Sequence, residues 1–263
     1  MAKFSIITVT YNSSSTLKDT IESVLKQSLS PYEYIIVDGK STDNTVEIAK
    51  SYHGLFVSKG IELRIISEND SGLYDAMNKG IKMAKGDVAG IINSDDWYEC
   101  DALETANSVF LKEPQVDIVH AQVRRYRHDG YSYLMGGKNI RRLKYYMCLN
   151  HPTFFVRKRV YNDYGMFNLK YRSSADYDFA LRTWLNGCRY YKIDKILANM
   201  RLGGFSDINY KLGLKEKKDI QLSNGINRTI VMLTYWGFII KHEIVNFLVK
   251  HDINYQRIIK RKV

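Results

Sequence analysis

Two alternating periods organise the hydrophobic and polar positions of the first 120 residues. Short apolar runs rich in β-branched residues are typical of buried strands; they occupy residues 4–9, 34–37, 63–66, 88–92 and 116–121. Between these runs apolar residues recur at spacings of three and four, which predicts amphipathic helices, most clearly at 17–25 and 73–84. The alternation predicts an α/β fold with a mostly parallel, Rossmann-like sheet and helices on both faces.

Beyond residue 120 the pattern is less regular. Residues 126–137 predict a hairpin or loop, residues 175–185 predict a helix, and the tail from residue 226 combines apolar and basic stretches. Internal repeats and a clear proline-rich linker are absent from the sequence. We therefore expect one compact domain over residues 1–210, followed by a helical extension over residues 211–263.

Composition and charge narrow the class of protein. The 263 residues are 45% hydrophobic and 25% charged, which excludes a disordered, collagenous or disulfide-scaffold chain. Three widely separated cysteines, Cys100, Cys148 and Cys188, predict reduced thiols in a cytoplasmic setting. Residues 1–119 hold 11 basic and 18 acidic residues, a net charge of −7, whereas residues 120–263 hold 28 and 10, a net charge of +18. The basic half suits phosphate-bearing partners.

Polar residues stand where predicted strands end. Asn12 follows the first strand, Asp38 the second, and the pair Asp95 and Asp96 the strand at 88–92. Ligands bind beyond the carboxyl ends of parallel strands, and adjacent carboxylates suit a divalent cation that also takes phosphate oxygens. Taken alone, each of these residues is more simply explained as part of a solvated turn or a helix cap.

Taken in order, however, several segments resemble family 2 glycosyltransferases of the GT-A fold, of the bacterial polysaccharide-biosynthesis type. The first half contributes TVTYN, VDGKSTDNT, ENDSGLYDAMNKG and NSDD, and the second half contributes NHPTFFVRK, SSADYDFALR and RLGGFS. Each motif is weak by itself, but their order and spacing are specific. The likeness covers about residues 3–206.

The resemblance implies an inverting enzyme that moves a sugar from a nucleotide donor, expected to be UDP-linked. The acceptor would be a saccharide or lipid-linked saccharide in surface polysaccharide assembly. Residues 1–120 would form the nucleotide-sugar-binding half, and residues 121–210 the acceptor-binding half. The family residues that hold the nucleotide or line the donor-sugar pocket match, in this sequence, Thr8, Tyr11, Asp38, Asp70, Asp75 and Asp95.

The resemblance also implies catalytic, metal and acceptor residues. The catalytic base matches Asp176, and Asp96 would bind the Mn²⁺ or Mg²⁺ that bridges the donor diphosphate. His151 matches a histidine of the acceptor-side segment. Asp178 lies two residues beyond the base, so on a helix it points elsewhere. A carboxylate base and a cation at the leaving diphosphate are what inverting transfer requires.

The chain departs from the family pattern at four positions. Lys40 stands where glycine or serine is frequent, and Asn44 where glycine is frequent. Asn93 replaces the first Asp of the metal motif, which removes one carboxylate from the expected metal site. Ala175 replaces the Glu that usually precedes the catalytic Asp, so the base depends on Asp176 alone.

Other functions are weighed against this one. A sugar-phosphate nucleotidyltransferase shares the sheet type but needs a glycine-rich phosphate loop, and TVTYNSSST has no glycine. A nucleic-acid-binding module would use the basic half and its tyrosines. An inactive nucleotide-binding scaffold would not need Asp38, Asp95, Asp96 and Asp176 together. Motifs of P-loop, dinucleotide-binding and HExxH enzymes do not occur.

The tail contains the apolar run IVMLTYWGFII (230–240), flanked by Arg228 and Lys241, and closes with Arg257, Lys260, Arg261 and Lys262. This run is too short to span a bilayer. It predicts a helix or helix pair that either lies in the interface of an anionic membrane or packs on the domain or on a second copy. The membrane alternative places the enzyme peripherally on the inner membrane face.

Overall fold

The structure is a computed structural model that describes residues 1–127, 129–136, 138–204 and 209–250, with the backbone alone at Asn246, Val249 and Lys250. The strands are β1 (Phe4–Thr10), β2 (Glu33–Asp38), β3 (Glu62–Ser67), β4 (Val88–Asn93), β5 (Trp97–Tyr98), β6 (Ile118–Tyr126), β7 (Ser132–Met135), β8 (Phe155–Arg157) and β9 (Tyr190–Arg201). The five strands predicted in the first half are thus present.

Helices connect these strands. They are α1 (Leu17–Leu25), α2 (Thr45–Ser51), α3 (His53–Ser58), α4 (Leu73–Met83), α5 (Ala102–Lys112), α6 (Lys158–Tyr164), α7 (Ala175–Leu185), α8 (Tyr210–Ser223) and α9 (Arg228–Lys250), with short 3₁₀ helices at Ile140–Lys144 and His151–Thr153. The predicted helices at 17–25, 73–84 and 175–185 are confirmed.

The described strands form one sheet in the order β3-β2-β1-β4-β8-β6-β9-β5, with β7 paired to β6. β1 pairs in parallel with β2 on one side and with β4 on the other, and β3 extends the parallel part beyond β2. The chain therefore reverses its direction of travel across the sheet between β1 and β4. In sheets of this kind the crevice at that point is the expected ligand site.

The second half of the sheet is mixed rather than parallel. β8 is antiparallel to both β4 and β6, and β5 is antiparallel to β9, whereas β6 and β9 run parallel over most of their length. β6 and β7 form an antiparallel hairpin in the predicted region 126–137, of which His128 and Gly137 lie outside the described residues. The mostly parallel arrangement thus belongs to the first four long strands.

Buried side chains alternate between two cores, one on each face of the sheet. Ile7 and Val37 face a cluster that includes Met77 of α4 and Phe179 of α7. Their neighbours Ile6 and Ile36 face the opposite cluster with α1, α2, α3 and α5. This alternation is what period-two strands produce, and it confirms helices on both faces.

The tail folds as two helices joined by a short turn. α8 packs against α7 and against α9, and its Leu214 and Ile220 are buried. Within the part of the chain that the structure describes, no helix is both long and apolar enough to cross a membrane. The basic residues Arg257, Lys260, Arg261 and Lys262 lie outside the described residues, and the boundary near residue 210 remains a prediction.

Candidate functional site

A cavity of about 870 Å³ opens at the carboxyl ends of β1 and β4, where the direction of the sheet reverses. Five residues predicted from the resemblance line it, namely Tyr11, Asp70, Asp75, Asp95 and Asp96. These residues come from three loops that are far apart in sequence. The sheet topology brings them together because parallel strands end at the same edge.

The loop after β1 is tied to the loop after β2. Asn12 has a left-handed φ of 49°, its amide N–H donates to Ser41 Oγ at 2.8 Å, and its Oδ1 accepts from Thr42 N–H at 2.9 Å. Lys40 is also left-handed, with φ 63°. Asparagine tolerates this conformation better than lysine does, which gives a physical reason for the family's frequent glycine at position 40.

Asp38 lies at the base of this loop and is 1% exposed. Its Oδ2 accepts from Ser41 N–H at 2.9 Å and from the Ser67 hydroxyl at 2.6 Å, and its Oδ1 accepts from Ser41 Oγ. The carboxylate therefore organises the loop in this structure. Gly39 lines the cavity next to it, and a Cβ there would lie 2.6 Å from Asp70 Oδ2. A larger residue at position 39 would therefore displace the Asp70 carboxylate.

Thr8 does not reach the cavity. Its side chain is fully buried within β1, and its Oγ1 accepts a hydrogen bond from Tyr34 O–H at 2.9 Å. The described residues of β1 and its loop that do line the cavity are Val9, Thr10, Tyr11 and Ser13.

The turn after β4 holds two carboxylates in low-dielectric surroundings. Asp96 is 2% exposed, and burial, followed by the neighbouring Asp95 charge, raises its pKa well above the usual range. Burial also raises the pKa of Asp95. The Thr20 hydroxyl donates to the Asp96 carbonyl at 2.6 Å and fixes the turn. Two adjacent carboxylates in such surroundings favour a cation or protons beside them.

Arg201, at the end of β9, holds this turn from the other half of the chain. Its N–H donates to Asp96 Oδ1 at 3.2 Å, its Nη1 donates to the Asp95 carbonyl at 2.7 Å, and its guanidinium also pairs with Asp19. The same guanidinium lies 4.6 Å from the ring centroid of Trp97. Sequence reasoning quoted Arg201 within RLGGFS without a role.

The residues of this turn suit a divalent cation whose coordination is completed by a bound ligand. Asp95 and Asp96 offer carboxylate oxygens, and Asn93 Oδ1 is buried without a hydrogen-bond partner among the described residues. Hard cations take oxygen ligands of this kind, and Mg²⁺ in particular is often bound by one or two carboxylates plus substrate phosphates. The described residues do not gather three His, Cys, Asp or Glu side chains into a metal site. The protein therefore supplies only part of a cation's coordination shell, and phosphate oxygens and water would have to supply the rest.

The first turn of helix α4 and the residues just before it line the cavity. Asp70 Oδ1 accepts from Gly72 N–H at 2.8 Å, and Asp75 Oδ2 accepts from Ser71 N–H at 3.0 Å. A Cβ at Gly80 of this helix would collide with Ile7 of β1. The glycine therefore lets α4 lie close to the sheet and sets the position of its first turn.

Asp176 begins α7 and is partly buried. Tyr74, which lines the cavity from α4, donates its hydroxyl to Asp176 Oδ1 at 3.0 Å. Burial, followed by the Asp176 charge, raises the pKa of Tyr74 well above its usual range, so the hydroxyl stays protonated and acts as donor. This contact joins two motifs that lie 102 residues apart. Sequence reasoning assigned no role to Tyr74, although it belongs to the ENDSGLYDAMNKG segment.

Asp176, Asp178 and His151 are not among the described residues that line the cavity. Asp178 is 4% exposed and pairs with Arg182 Nε at 3.3 Å, which agrees with the expectation that it points elsewhere. His151 is close enough for the Asp176 charge to act on it, but burial lowers its pKa. Its Nε2 has no hydrogen-bond partner among the described residues. Asp176 and His151 thus lie near each other, and Tyr74 connects Asp176 to the cavity.

The far wall of the cavity comes from the second half and from α8. Leu169, Tyr171 and Arg172 line it together with Leu212 of α8. Glu216 of α8 ties these parts together, since its carboxylate accepts from the backbone N–H groups of Arg172 and Ser173 at 2.8 and 2.9 Å. The helix assigned from sequence to the extension therefore forms part of the cavity wall.

Comparisons with known proteins agree with this arrangement. The family model described as "Glycosyl transferase family 2" matches residues 5–175. The chain is 29% identical over 246 residues to a Mycobacterium bovis protein named "PGL/p-HBAD biosynthesis glycosyltransferase", covering 92% of this chain and 94% of that one. It is also 29% identical over 240 residues to the hyaluronan synthase of Pasteurella multocida, covering 89% of this chain but 24% of the synthase.

Solved structures extend the likeness to the fold. S. aureus TarS 1–349 in complex with UDP-GlcNAc superimposes with a TM-score of 0.67 at 21% identity, covering 90% of this chain and 71% of that one. Against the longer TarS chain the TM-score is 0.65, and this chain spans 43% of its length. The GT-A fold class expected from the sequence is confirmed.

Proposed function

Since this chain belongs to glycosyl transferase family 2, we propose that it transfers a sugar with inversion from a UDP-linked donor to a saccharide or lipid-linked saccharide. The chain is a glycosyltransferase. The proposed reaction serves the assembly of a surface polysaccharide, in keeping with the hyaluronan synthase among its relatives. The finer assignments below are drawn from the cavity.

One observation carries the proposal. A single cavity joins the carboxylate pair Asp95 and Asp96 to the first turn of α4, and Tyr74 of that turn holds Asp176. Transfer with inversion needs a charge sink for the departing diphosphate and a base for the acceptor hydroxyl. In this proposal Asp95 and Asp96 would serve the leaving diphosphate, and Asp176, which Tyr74 links to the cavity, would serve as the base.

We assign donor binding to the loops after β1, β2 and β4. Tyr11 is 63% exposed at the cavity and would lie against the nucleotide base, whereas Asp38 would hold the loop that surrounds it. Asp95 would contact the ribose or sugar. Asp75, in the first turn of α4, and Asp70, in the loop before it, would contact the donor sugar. TarS in complex with UDP-GlcNAc supports a donor of this class.

The family generally uses a divalent metal, and we assign Mn²⁺ or Mg²⁺ to Asp96, with Asp95 and Asn93 Oδ1 beside it. When bound, the cation would neutralise the oxygens of the leaving diphosphate. The protein's own contribution is to hold the Asp95–Asp96 turn in place, through Thr20 and Arg201 on its backbone carbonyls and Arg201 N–H on the Asp96 carboxylate. It also excludes water from a turn in which Asp96 is nearly buried.

We assign the base to Asp176. Its carboxylate would accept the proton of the acceptor hydroxyl as the new glycosidic bond forms on the opposite side of the sugar from the leaving group. Tyr74 orients the carboxylate through its 3.0 Å hydrogen bond. His151 is an acceptor-side residue in this scheme, and its buried ring stays neutral because burial lowers its pKa.

A cytoplasmic setting completes the proposal. The three cysteines are unpaired, and two of them, Cys148 and Cys188, are buried. Unpaired thiols are typical of a reducing compartment.

A panel of nucleotide sugars, scored by release of nucleoside diphosphate with Mn²⁺ or Mg²⁺, tests the function directly. We expect release from a UDP-sugar and thermal stabilisation of the protein by UDP only when the metal is present. A short oligonucleotide at physiological salt serves as the control and should leave the melting temperature unchanged. Stabilisation by the oligonucleotide, with no response to any nucleotide and metal, would contradict the proposal.

A further inference from the structure

Helix α9 buries one of its faces against the rest of the protein. Val231 is fully buried on that face. Phe238 packs edge-on against Tyr146 with ring centroids 6.0 Å apart, and His242 stacks on Tyr210 at 4.4 Å. At about 100° per residue these positions share one side of the helix. That side already accounts for the attachment of the helix to the domain.

The opposite face of α9 is also apolar, but it is exposed. Leu233 is 70% exposed, and Trp236, Ile240 and Ile244 are 53%, 58% and 53% exposed. Their spacings of three, four and four residues place them in one stripe along the helix. We call these four residues the outer stripe. A contiguous stripe of large apolar side chains on a surface marks an interaction site, and a helix that is apolar on both sides needs a second covering.

Basic residues lie on the two segments that pack beside α9. The segment that contains the 3₁₀ helix Ile140–Lys144, together with α8, exposes Lys138, Arg141, Arg142, Lys144, Lys211 and Lys215. None of these six forms an ion pair with a carboxylate among the described residues. They belong to the half of the chain that has a net charge of +18.

We propose that the outer stripe docks on an anionic lipid bilayer, with the six basic residues facing the lipid head groups. An interfacial helix inserts apolar side chains while lysine and arginine beside it bind anionic lipid, each by about 1 kcal/mol or less in similar systems. A second copy of the chain is a poorer partner, because stripe-to-stripe packing would bring together two sets of basic residues. These residues have no carboxylate partner among the described residues, although Lys138, Arg142 and Lys144 contact aromatic side chains.

The docking surface is connected to the cavity by a single helix. α8 packs against α9 and contributes Leu212 to the cavity wall. A bilayer bound at the outer stripe would therefore be separated from the cavity wall by α8 and the inner face of α9. The lipid-linked class of acceptor is favoured on this ground, and that choice of acceptor rests on the proposed function.

Vesicle sedimentation with the full chain tests the surface without any turnover. Vesicles of phosphatidylcholine alone are compared with vesicles that also contain phosphatidylglycerol, at low and at high NaCl. We expect the protein to sediment with the anionic vesicles, and the bound fraction to fall at high salt. Equal sedimentation with both vesicle types at both salt concentrations would overturn the electrostatic part of the proposal.

Variants locate the contact. Ile240→Glu with Ile244→Glu should weaken partition to anionic vesicles by about tenfold or more, since two apolar side chains no longer insert. The matched control replaces Leu55 and Leu111, which are 51% and 57% exposed elsewhere on the molecule, by Glu. That control should sediment like the wild type. Equal binding by both double variants would overturn the assignment to the outer stripe.

Tryptophan fluorescence supplies a second readout. Trp236 should shift its emission to shorter wavelength when vesicles bind, and Trp236→Phe should lose most of this shift while it still sediments. Light scattering separates the second copy from the membrane. A dimer that Ile240→Glu with Ile244→Glu converts to a monomer, together with no vesicle binding by the wild type, would assign the stripe to an interface between copies and overturn the proposal.

The vesicle experiment tests the docking surface, and the donor experiment tests the proposed function, so the two proposals can be contradicted independently. UDP release from a donor sugar uses the cavity and not the outer stripe, so the Ile240 and Ile244 variant should keep the wild-type rate of donor hydrolysis. Vesicle binding without any sugar transfer would contradict the proposed function and leave the surface in place. Transfer without vesicle binding would do the reverse.

Discussion

The two halves of the chain differ in charge, in sheet architecture and in the part of the site that each supplies. Residues 1–119 have a net charge of −7 and contain the parallel strands β1 to β4, whereas residues 120–263 have a net charge of +18 and contribute the mixed strands β6 to β9. The first half contributes the loops assigned to the donor, and the second contributes Asp176, Arg201 and the α8 wall. Under the proposed function, donor binding and acceptor activation would therefore depend on two separate parts of the fold.

The two halves of the chain are nevertheless connected by hydrogen bonds at two places. Arg201 of the second half donates to Asp95 and Asp96 of the first, across 106 and 105 residues of sequence. Tyr74 of the first half donates to Asp176 of the second. Substitutions at these places should show how far the donor and acceptor functions can be separated.

The largest effect is expected at Asp96. Asp96→Ala should abolish transfer and should weaken UDP binding mainly when Mn²⁺ or Mg²⁺ is present, by about 10- to 100-fold, or about 1.4–2.8 kcal/mol. The reason is the loss of the carboxylate assigned to the cation. Calorimetric titration measures the affinity for UDP with and without metal, and the metal-free titration is the control. Equal UDP affinity of the wild type with and without metal contradicts the assignment.

Asp176→Asn should distinguish most clearly between the functions proposed for the two halves. Loss of a general base lowers kcat by about 10²–10⁴-fold, whereas UDP affinity should stay within about twofold because the first half is unchanged. Steady-state kinetics and UDP titration give the two values. Asp163→Asn, an exposed carboxylate at the end of α6, is the matched control and should keep the wild-type rate. If Asp176→Asn keeps more than a tenth of the rate, Asp176 is not the base.

Tyr74→Phe tests the contact between the halves. The ring would still pack against Phe167, 5.4 Å away between centroids, but the hydrogen bond to Asp176 would be lost. A bond to a charged group contributes about 1.5–3 kcal/mol, so kcat should fall by about tenfold or more while the donor KM stays nearly unchanged. Tyr161→Phe removes a buried hydroxyl from the same aromatic cluster and serves as the control. An equal loss in both variants would mean that packing, and not orientation of the base, is responsible.

The smallest effect concerns the donor loop alone. Lys40 has a left-handed φ of 63°, and this conformation costs a residue with a Cβ about 1 kcal/mol. Lys40→Gly should therefore raise the melting temperature by about 2–4 °C. Lys40→Ala removes the same charge but keeps the Cβ, so it should bring no such gain. A rise that is equal in both variants would assign the effect to charge rather than to backbone strain.

The sequence predicted the first half well because its signals are local. The apolar run FSIITV is typical of a buried strand, and the apolar stripe from Leu17 to Leu25 has the period of a helix. Turn residues follow each of them directly in the sequence. The same locality limited the prediction of individual side chains. Thr8 and Thr10 share a strand and a residue type, yet Thr8 is buried against Tyr34 and Thr10 lines the cavity. Only their depth along the packed sheet separates them.

By itself, then, the sequence determined the order of the strands and helices, the family, and the cluster of polar residues at one edge of the sheet. The tertiary structure alone decided that Tyr74 orients Asp176, that Arg201 holds the Asp95–Asp96 turn, and that α8 closes the cavity. The physical reason is the separation in sequence between the groups that interact. Periodicity and capping act within a few residues, whereas these contacts join groups about 100 residues apart, and such contacts exist only after the chain has packed.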